Sequence, residues 1–123
     1  RPPRSTLFPY TTLFRSVTAV ISYAMASATT GGVAFDVALE AITSGDALDT
    51  DASTSFDTVN AGNDGTVPGT AGYMEQLSIT LTNADSIAAA DLVRVSVARD
   101  VADAADTATG DCYVFAVEIR DAA

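Results

Sequence analysis

The sequence predicts an all-β protein, a jelly-roll-like antiparallel β-sandwich. Residues 33–40 alternate strictly, with valine, phenylalanine and leucine on one face, which is typical of a strand with one buried face. Residues 91–100 and 111–120 also alternate, on either side of a loop rich in Asp, Ala, Thr and Gly. No stretch keeps a helical period beyond two turns. We therefore expect short strands joined by turns, with the last two strands pairing to close the sandwich.

The first two strands are expected at 17–26, which is rich in β-branched and aromatic residues, and at 33–42. Between them, Ser27 to Gly32 ends in paired glycines, which adopt positive φ at little cost. The sequence therefore predicts a hairpin formed by these two strands.

The connection from Thr43 to Ser55 is polar and carries Asp46, Asp49 and Asp51. Their spacing does not match an EF-hand loop, which needs a glycine and a distal glutamate at fixed positions. A solvated loop is favoured here over a calcium site.

The middle of the chain holds a short strand candidate at 56–59, followed by a turn-rich connection at 60–72 with four glycines and one proline. Residues 73–82 form the next expected strand, with three aliphatic side chains facing inward. Residues 83–91 favour one helical turn, which Asp85 would cap by accepting a bond from an exposed backbone N–H.

The composition argues against catalysis and against a resident cofactor or metal. Histidine and lysine are absent, which excludes Ser-His-Asp and Cys-His nucleophiles, a P-loop and most zinc sites. Among sixteen acidic residues some pair will always have glycosidase spacing, so such a pair is not evidence. The single cysteine, Cys112, lies on an expected strand without a histidine to activate it, and is expected to be a core residue.

The charge argues against binding to nucleic acid. The net charge is −10, and from Val17 onward three arginines oppose all sixteen acidic residues, a net of −13. Such a surface repels phosphate. No apolar run approaches the length of a transmembrane helix, so a membrane is not an expected partner either.

The loop between the last two strands is the best candidate for a special site. Asp100, Asp103 and Asp106 recur every third residue, between Arg99 and Asp111. The aspartates would either surround a cation or accept backbone N–H bonds in tight turns. We favour a structural loop in which Asp106 pairs with Arg99 across its mouth, because such a bridge would hold the loop.

Three tyrosines raise a second possibility. Tyr23, Tyr73 and Tyr113 would line a platform for a sugar if they were exposed on one face. Tyrosines at strand positions more often belong to a core or an interface, and that is the favoured interpretation.

The first sixteen residues differ in character from the rest. Residues 6–16 resemble the translation of a common short-read sequencing adapter over eleven consecutive positions. An export signal fits badly, because prolines interrupt the segment and no cleavage site follows. We therefore expect 1–16 to be an artefactual leader and 17–123 to be a single β-sandwich domain whose natural N-terminal strands are missing.

A series of short motifs runs through residues 17–123. Its most specific part is a valine-rich strand followed by Arg-Asp, Asp-x-x-Asp-Thr, Gly-Asp and a final strand. The motifs lie at Gly32–Leu39, Gly45–Asp49, Pro68–Gly72, Ala90–Asp100, Asp103–Thr107 and Gly110–Asp111. In this order they resemble a β-sandwich domain of tailed-phage genomes, described as a virion structural or tail-associated protein.

The resemblance implies a non-catalytic virion module for assembly or adhesion, with further copies of itself or other virion proteins as partners. Two departures stand out. The chain has no Trp, whereas family members often carry a Trp-rich segment among earlier strands, and Ala90 replaces a common glycine. A carbohydrate-binding β-sandwich, with a glycan as partner, is the alternative.

Overall fold

The computed structural model describes residues 16–47 and 55–121, which form six antiparallel β-strands in two three-stranded sheets. No helix occurs within these ranges. The predicted all-β, antiparallel sandwich is therefore confirmed, while the jelly-roll connectivity stays a prediction. The strands are β1 (Val17–Met25), β2 (Gly32–Ile42), β3 (Asn60–Thr66), β4 (Glu75–Leu81), β5 (Leu92–Arg99) and β6 (Cys112–Asp121).

The distribution of the strands between the two sheets contradicts two predicted pairings. One sheet has the order β4-β1-β6 and the other β3-β2-β5. The expected hairpin of β1 and β2 is wrong, and so is the expected ladder between β5 and β6, because each pair is divided between the sheets. The physical reason is burial: β1 and β2 are buried at most positions, so each takes the centre of its own sheet with a neighbour on both edges.

The core lies between the inner faces of β1 and β2. The rings of Tyr23 and Phe35 meet edge-to-face, with centroids 5.6 Å apart, a geometry that aromatic pairs favour. Leu39 and Ile79 are also fully buried. Cys112 is half-buried against this core, and burial raises the pKa of its thiol, so it packs as a small apolar side chain.

The weak strand predicted at 56–59 is wrong, because the chain enters a strand only at Asn60. Hydrophobic periodicity does not reveal β3, since most of its residues are polar or glycine and exposed. Its anchor is the buried Asn60 amide, which donates to the carbonyls of Val37 and Asn83 at 3.0 Å. Asn60 Oδ1 also accepts the Asn83 N–H at 2.9 Å, so one buried amide joins three segments.

The helical turn predicted within 83–91 is also wrong. Asp85 and Ser86 have φ of 53° and 50°, left-handed values that no right-handed helical turn contains. Asp85 does not cap its own segment: its carboxylate accepts the Ala41 N–H at 2.8 Å. Asp91 provides the local bond instead, accepting the Ala88 N–H at 2.9 Å.

Several sequence-based expectations fall outside the described residues, among them the adapter-like segment up to residue 15 and the aspartates at 49 and 51. Their neighbour Asp46 accepts the Thr43 N–H at 2.9 Å, a bond within a local turn. In the part of the chain that the structure describes, no helix is long and apolar enough to span a membrane.

Candidate functional site

The loop between β5 and β6 is organised by Arg99, the last residue of β5. Its guanidinium donates to both carboxylate oxygens of Asp106, from Nε at 2.8 Å and from Nη2 at 2.7 Å. It also donates to the main-chain carbonyls of Ala108 and Gly110. A planar guanidinium has several donors in a fixed geometry, which is why it can hold four acceptors of one loop at once.

Asp106 connects this loop to β2, the strand that pairs with β5. Its Oδ2 also accepts the Ala34 N–H of β2 at 3.0 Å. Its side chain is 3% exposed and that of Arg99 is 17% exposed. The hydrogen bond from Arg99 lowers the pKa of Asp106 against the opposing effect of burial, so the carboxylate stays ionised and paired.

The main chain of the loop adds a second attachment to β2. The N–H groups of Thr107 and Ala108 both donate to the Gly32 carbonyl, at 3.0 and 2.8 Å. The Gly32 N–H donates to Thr107 Oγ1 at 2.9 Å. A Cβ on Gly32 would lie 2.7 Å from the Ala105 carbonyl oxygen, so this glycine is required for close approach. The positive φ of the preceding turn belongs to Gly31, at 95°.

The remaining aspartates of the predicted loop face its backbone. Asp100 Oδ1 accepts the Ala102 N–H at 3.0 Å, and Asp103 Oδ1 accepts the Ala105 N–H at 2.8 Å. At Asp111 the main-chain carbonyl accepts the Ala26 N–H at 2.9 Å. These are contacts of turn-forming residues, and at Asp100 and Asp103 they use one oxygen of each carboxylate that a cation would need.

Asp36 of β2 lies close enough to this loop for the loop's negative charges to affect its pKa. Burial raises the pKa of Asp36, and the negative charges of Asp100 and Asp103 raise it further. Its Oδ1 is buried and has no hydrogen-bond partner among the described residues. Within those same residues, no group of three or more Asp, Glu, Cys or His side chains has a geometry that could hold a metal ion.

A second ion pair, between Arg94 and Glu40, was not predicted from the sequence. Arg94 Nε donates to Glu40 Oε1 at 2.7 Å, and the Ser55 N–H donates to Oε2 at 2.6 Å. Alternation correctly places Glu40 on the outer face of its strand, yet the residue is 1% exposed. The hydrogen bond from Arg94 lowers the pKa of Glu40. The only signal in the sequence is a pair of opposite charges on two strands whose pairing was not predicted.

A cleft of about 470 Å³ lies beside the start of β1 and the 80–87 segment. Two carboxylates line it, Asp57 and Asp85. Both accept main-chain bonds: Asp57 Oδ2 from the Asp85 N–H and Asp85 Oδ2 from the Ala41 N–H, each at 2.8 Å. The arrangement fixes the backbone of these segments, and it does not present a nucleophile beside a base.

The three tyrosines do not share one exposed surface. Tyr23 is buried in the core, whereas Tyr73 is 64% and Tyr113 is 53% exposed. Tyr113 begins a different feature, a run of large exposed side chains on β6 that continues through Val114 and Phe115 to Val117. Among the described strands, this run is the largest group of exposed large apolar side chains.

Comparison with known protein families, with curated proteins and with solved structures finds no match to this chain.

Proposed function

We propose that residues 17–123 form a non-catalytic structural module of a tailed-phage virion, acting in assembly or adhesion. The sequence pattern described above supports the phage context. The carboxylates of Asp100, Asp103 and Asp106 in the β5–β6 loop support a structural rather than a catalytic role, because each of the three contacts backbone or arginine. Partners are further copies of the chain or other virion proteins, and the virion is the proposed location.

The observation that carries the assembly role is the exposure of β6. Its Phe115 is 63% exposed and its Tyr113 53%, on a strand of ten residues. Soluble proteins rarely leave a long apolar edge strand uncovered, because such an edge pairs readily with another chain. In a subunit of an assembly, another chain would cover that edge.

The phage context is tested by long-read sequencing of the source DNA across this locus. We expect capsid or tail genes on the same molecule, and an open reading frame that continues upstream of Val17 in place of the adapter-like residues. Neighbouring genes for cellular glycan processing would contradict the virion role.

A carbohydrate-binding module is the second candidate, favoured by the exposed aromatic rings of Tyr73, Tyr113 and Phe115. Exposed aromatic faces stack on sugar rings. A glycan array probed with the full chain tests this role, with Tyr113→Ala as the variant. Binding that the variant loses would support it, and an array without hits would exclude it.

A further inference from the structure

We propose that the free edge of β6 pairs antiparallel with β6 of a second copy of this chain, joining two three-stranded sheets into one. This inference deepens the proposed assembly role and rests on it. Among the described residues, β6 pairs only with β1, so within that part of the chain the backbone N–H and C=O groups on its other edge, from Cys112 to Arg120, have no strand beside them. The edge strands β3 and β4 contact each other at one side of the sandwich. The other two edge strands, β5 and β6, therefore lie at the opposite side.

Of the strands at sheet edges, β6 is the one whose side chains are suited to association. Its residues 113–117 are all exposed and include two aromatic and two valine side chains. Natural edge strands are usually protected by lysine, proline or inward-pointing charge, and residues 112–117 contain none of these. The β5 edge exposes only Leu92 among its large apolar residues, and its Arg94 and Arg99 are engaged in ion pairs.

The register follows from a β-bulge. Tyr23 pairs with Val114 and Ser22 with Ala116, which leaves Phe115 as the extra residue. The bulge therefore gives Val114 the same orientation as Val117 and Ile119, all facing the core side of the sheet. In an antiparallel pair of β6 strands related by a two-fold axis, residues that face the core side must lie opposite residues that also face it, on both sides of the bulge. An axis at Val117 meets this condition and leaves Phe115 unpaired in each copy.

This register pairs both arms of β6 on either side of Phe115 without placing like charges opposite each other. Arg120 lies across from the Tyr113 ring, where a guanidinium is attracted to the aromatic face. The cross-strand pairs are Val117 with Val117, Ala116 with Glu118, Val114 with Ile119, Tyr113 with Arg120 and Cys112 with Asp121 of the second copy. The charges of the strand are therefore compatible with its pairing to itself.

The test is sedimentation equilibrium of the full 123-residue chain. Pairing through one strand edge buries less than the ~1,200 Å² of a stable interface, so we expect a dissociation constant on the order of micromolar. Ala116→Glu places a carboxylate opposite Glu118 of the second copy and should weaken dimerisation by roughly tenfold, as a 1.4 kcal/mol repulsion would. Adding Glu118→Lys turns that repulsion into attraction and should restore the dimer.

The matched control is Ser78→Glu, an exposed outward-facing residue on β4. It adds the same charge away from β6 and should leave the dissociation constant within about twofold. Circular dichroism establishes that each variant is folded. A wild-type chain that stays monomeric at ~1 mM would overturn the pairing, and so would a dimer that Ala116→Glu does not weaken. Either result leaves the virion role to be decided by the neighbouring genes.

Discussion

Arg99 and Asp106 form a two-pronged ion pair, at 2.7 and 2.8 Å, that connects the end of β5 to the backbone of β2. The connection runs through one carboxylate, because Asp106 Oδ2 accepts from both Arg99 and the Ala34 N–H. The chain thereby fixes its longest described loop, and with it the start of β6, through side-chain and backbone hydrogen bonds.

Removing the charge of Asp106 should destabilise the fold. Asp106→Asn leaves the guanidinium of Arg99 largely buried without its counter-ion, and we expect a loss of roughly 2–3 kcal/mol, below the full range for buried pairs because Arg99 is 17% exposed. Urea unfolding followed by circular dichroism measures it. Asp103→Asn, the same change in the same loop, keeps its acceptor oxygen and should cost less than about 0.5 kcal/mol. Equal losses in the two variants would contradict a stabilising role for the ion pair beyond that of an ordinary turn contact.

The same pair predicts how stability depends on pH. The pKa of Asp106 is lower in the folded state than in the unfolded chain, so the unfolded chain binds protons more readily. The stabilisation is complete above the unfolded pKa of about 3.9 and is lost as the pH falls toward the folded value. Asp36, with its raised pKa, acts in the opposite direction. Unfolding at a series of pH values should therefore show a shallower acid decline for Asp106→Asn than for wild type.

Gly32 should tolerate no side chain. A Cβ there would lie 2.7 Å from the Ala105 carbonyl oxygen, so Gly32→Ala should lose about 1–3 kcal/mol as the loop is displaced. Gly69 is the control, because it has neither a positive φ nor an atom within 4 Å of the added carbon. Gly69→Ala should change stability by less than about 0.5 kcal/mol. Thermal unfolding of both variants checks the difference.

Ala90 occupies a backbone conformation suited to glycine, with φ of 72°. Ala90→Gly should stabilise the fold by roughly 0.5–1 kcal/mol, since relief of the left-handed strain exceeds the entropy that glycine loses. Ala89→Gly, one residue earlier and without a positive φ, should instead destabilise by about 0.5–1 kcal/mol. A melting temperature that falls in both variants would contradict this assignment.

The strands that could be predicted from the sequence are those with an apolar face. Alternation located β2 within one residue, and it placed Leu77, Ile79 and Leu81 of β4 toward the core. It failed for β3, whose polar residues are held by the Asn60 amide and by backbone pairing with β2. It also failed to predict which strands pair, because alternation indicates which face of a strand is buried and carries no information about the neighbour at each edge.

The candidate site shows the same division. The contact between Arg99 and Asp106 was expected, since the two are close in sequence and opposite in charge. Its link to Ala34 spans 72 positions and depends on the pairing of β2 with β5, for which no local pattern exists. The buried pair of Glu40 and Arg94 was missed for the same reason.

The pairing of β6 with a second copy is tested most directly by a cysteine at Val117, in a Cys112→Ser background. The proposed axis places the two 117 positions opposite each other, about 4.5–5.5 Å apart at Cα, within the range that a disulfide spans. Val117→Cys should form a covalent dimer under mild oxidation, seen on a non-reducing gel, much faster than Ala98→Cys on the exposed edge of β5. Equal cross-linking rates for the two variants would contradict the pairing.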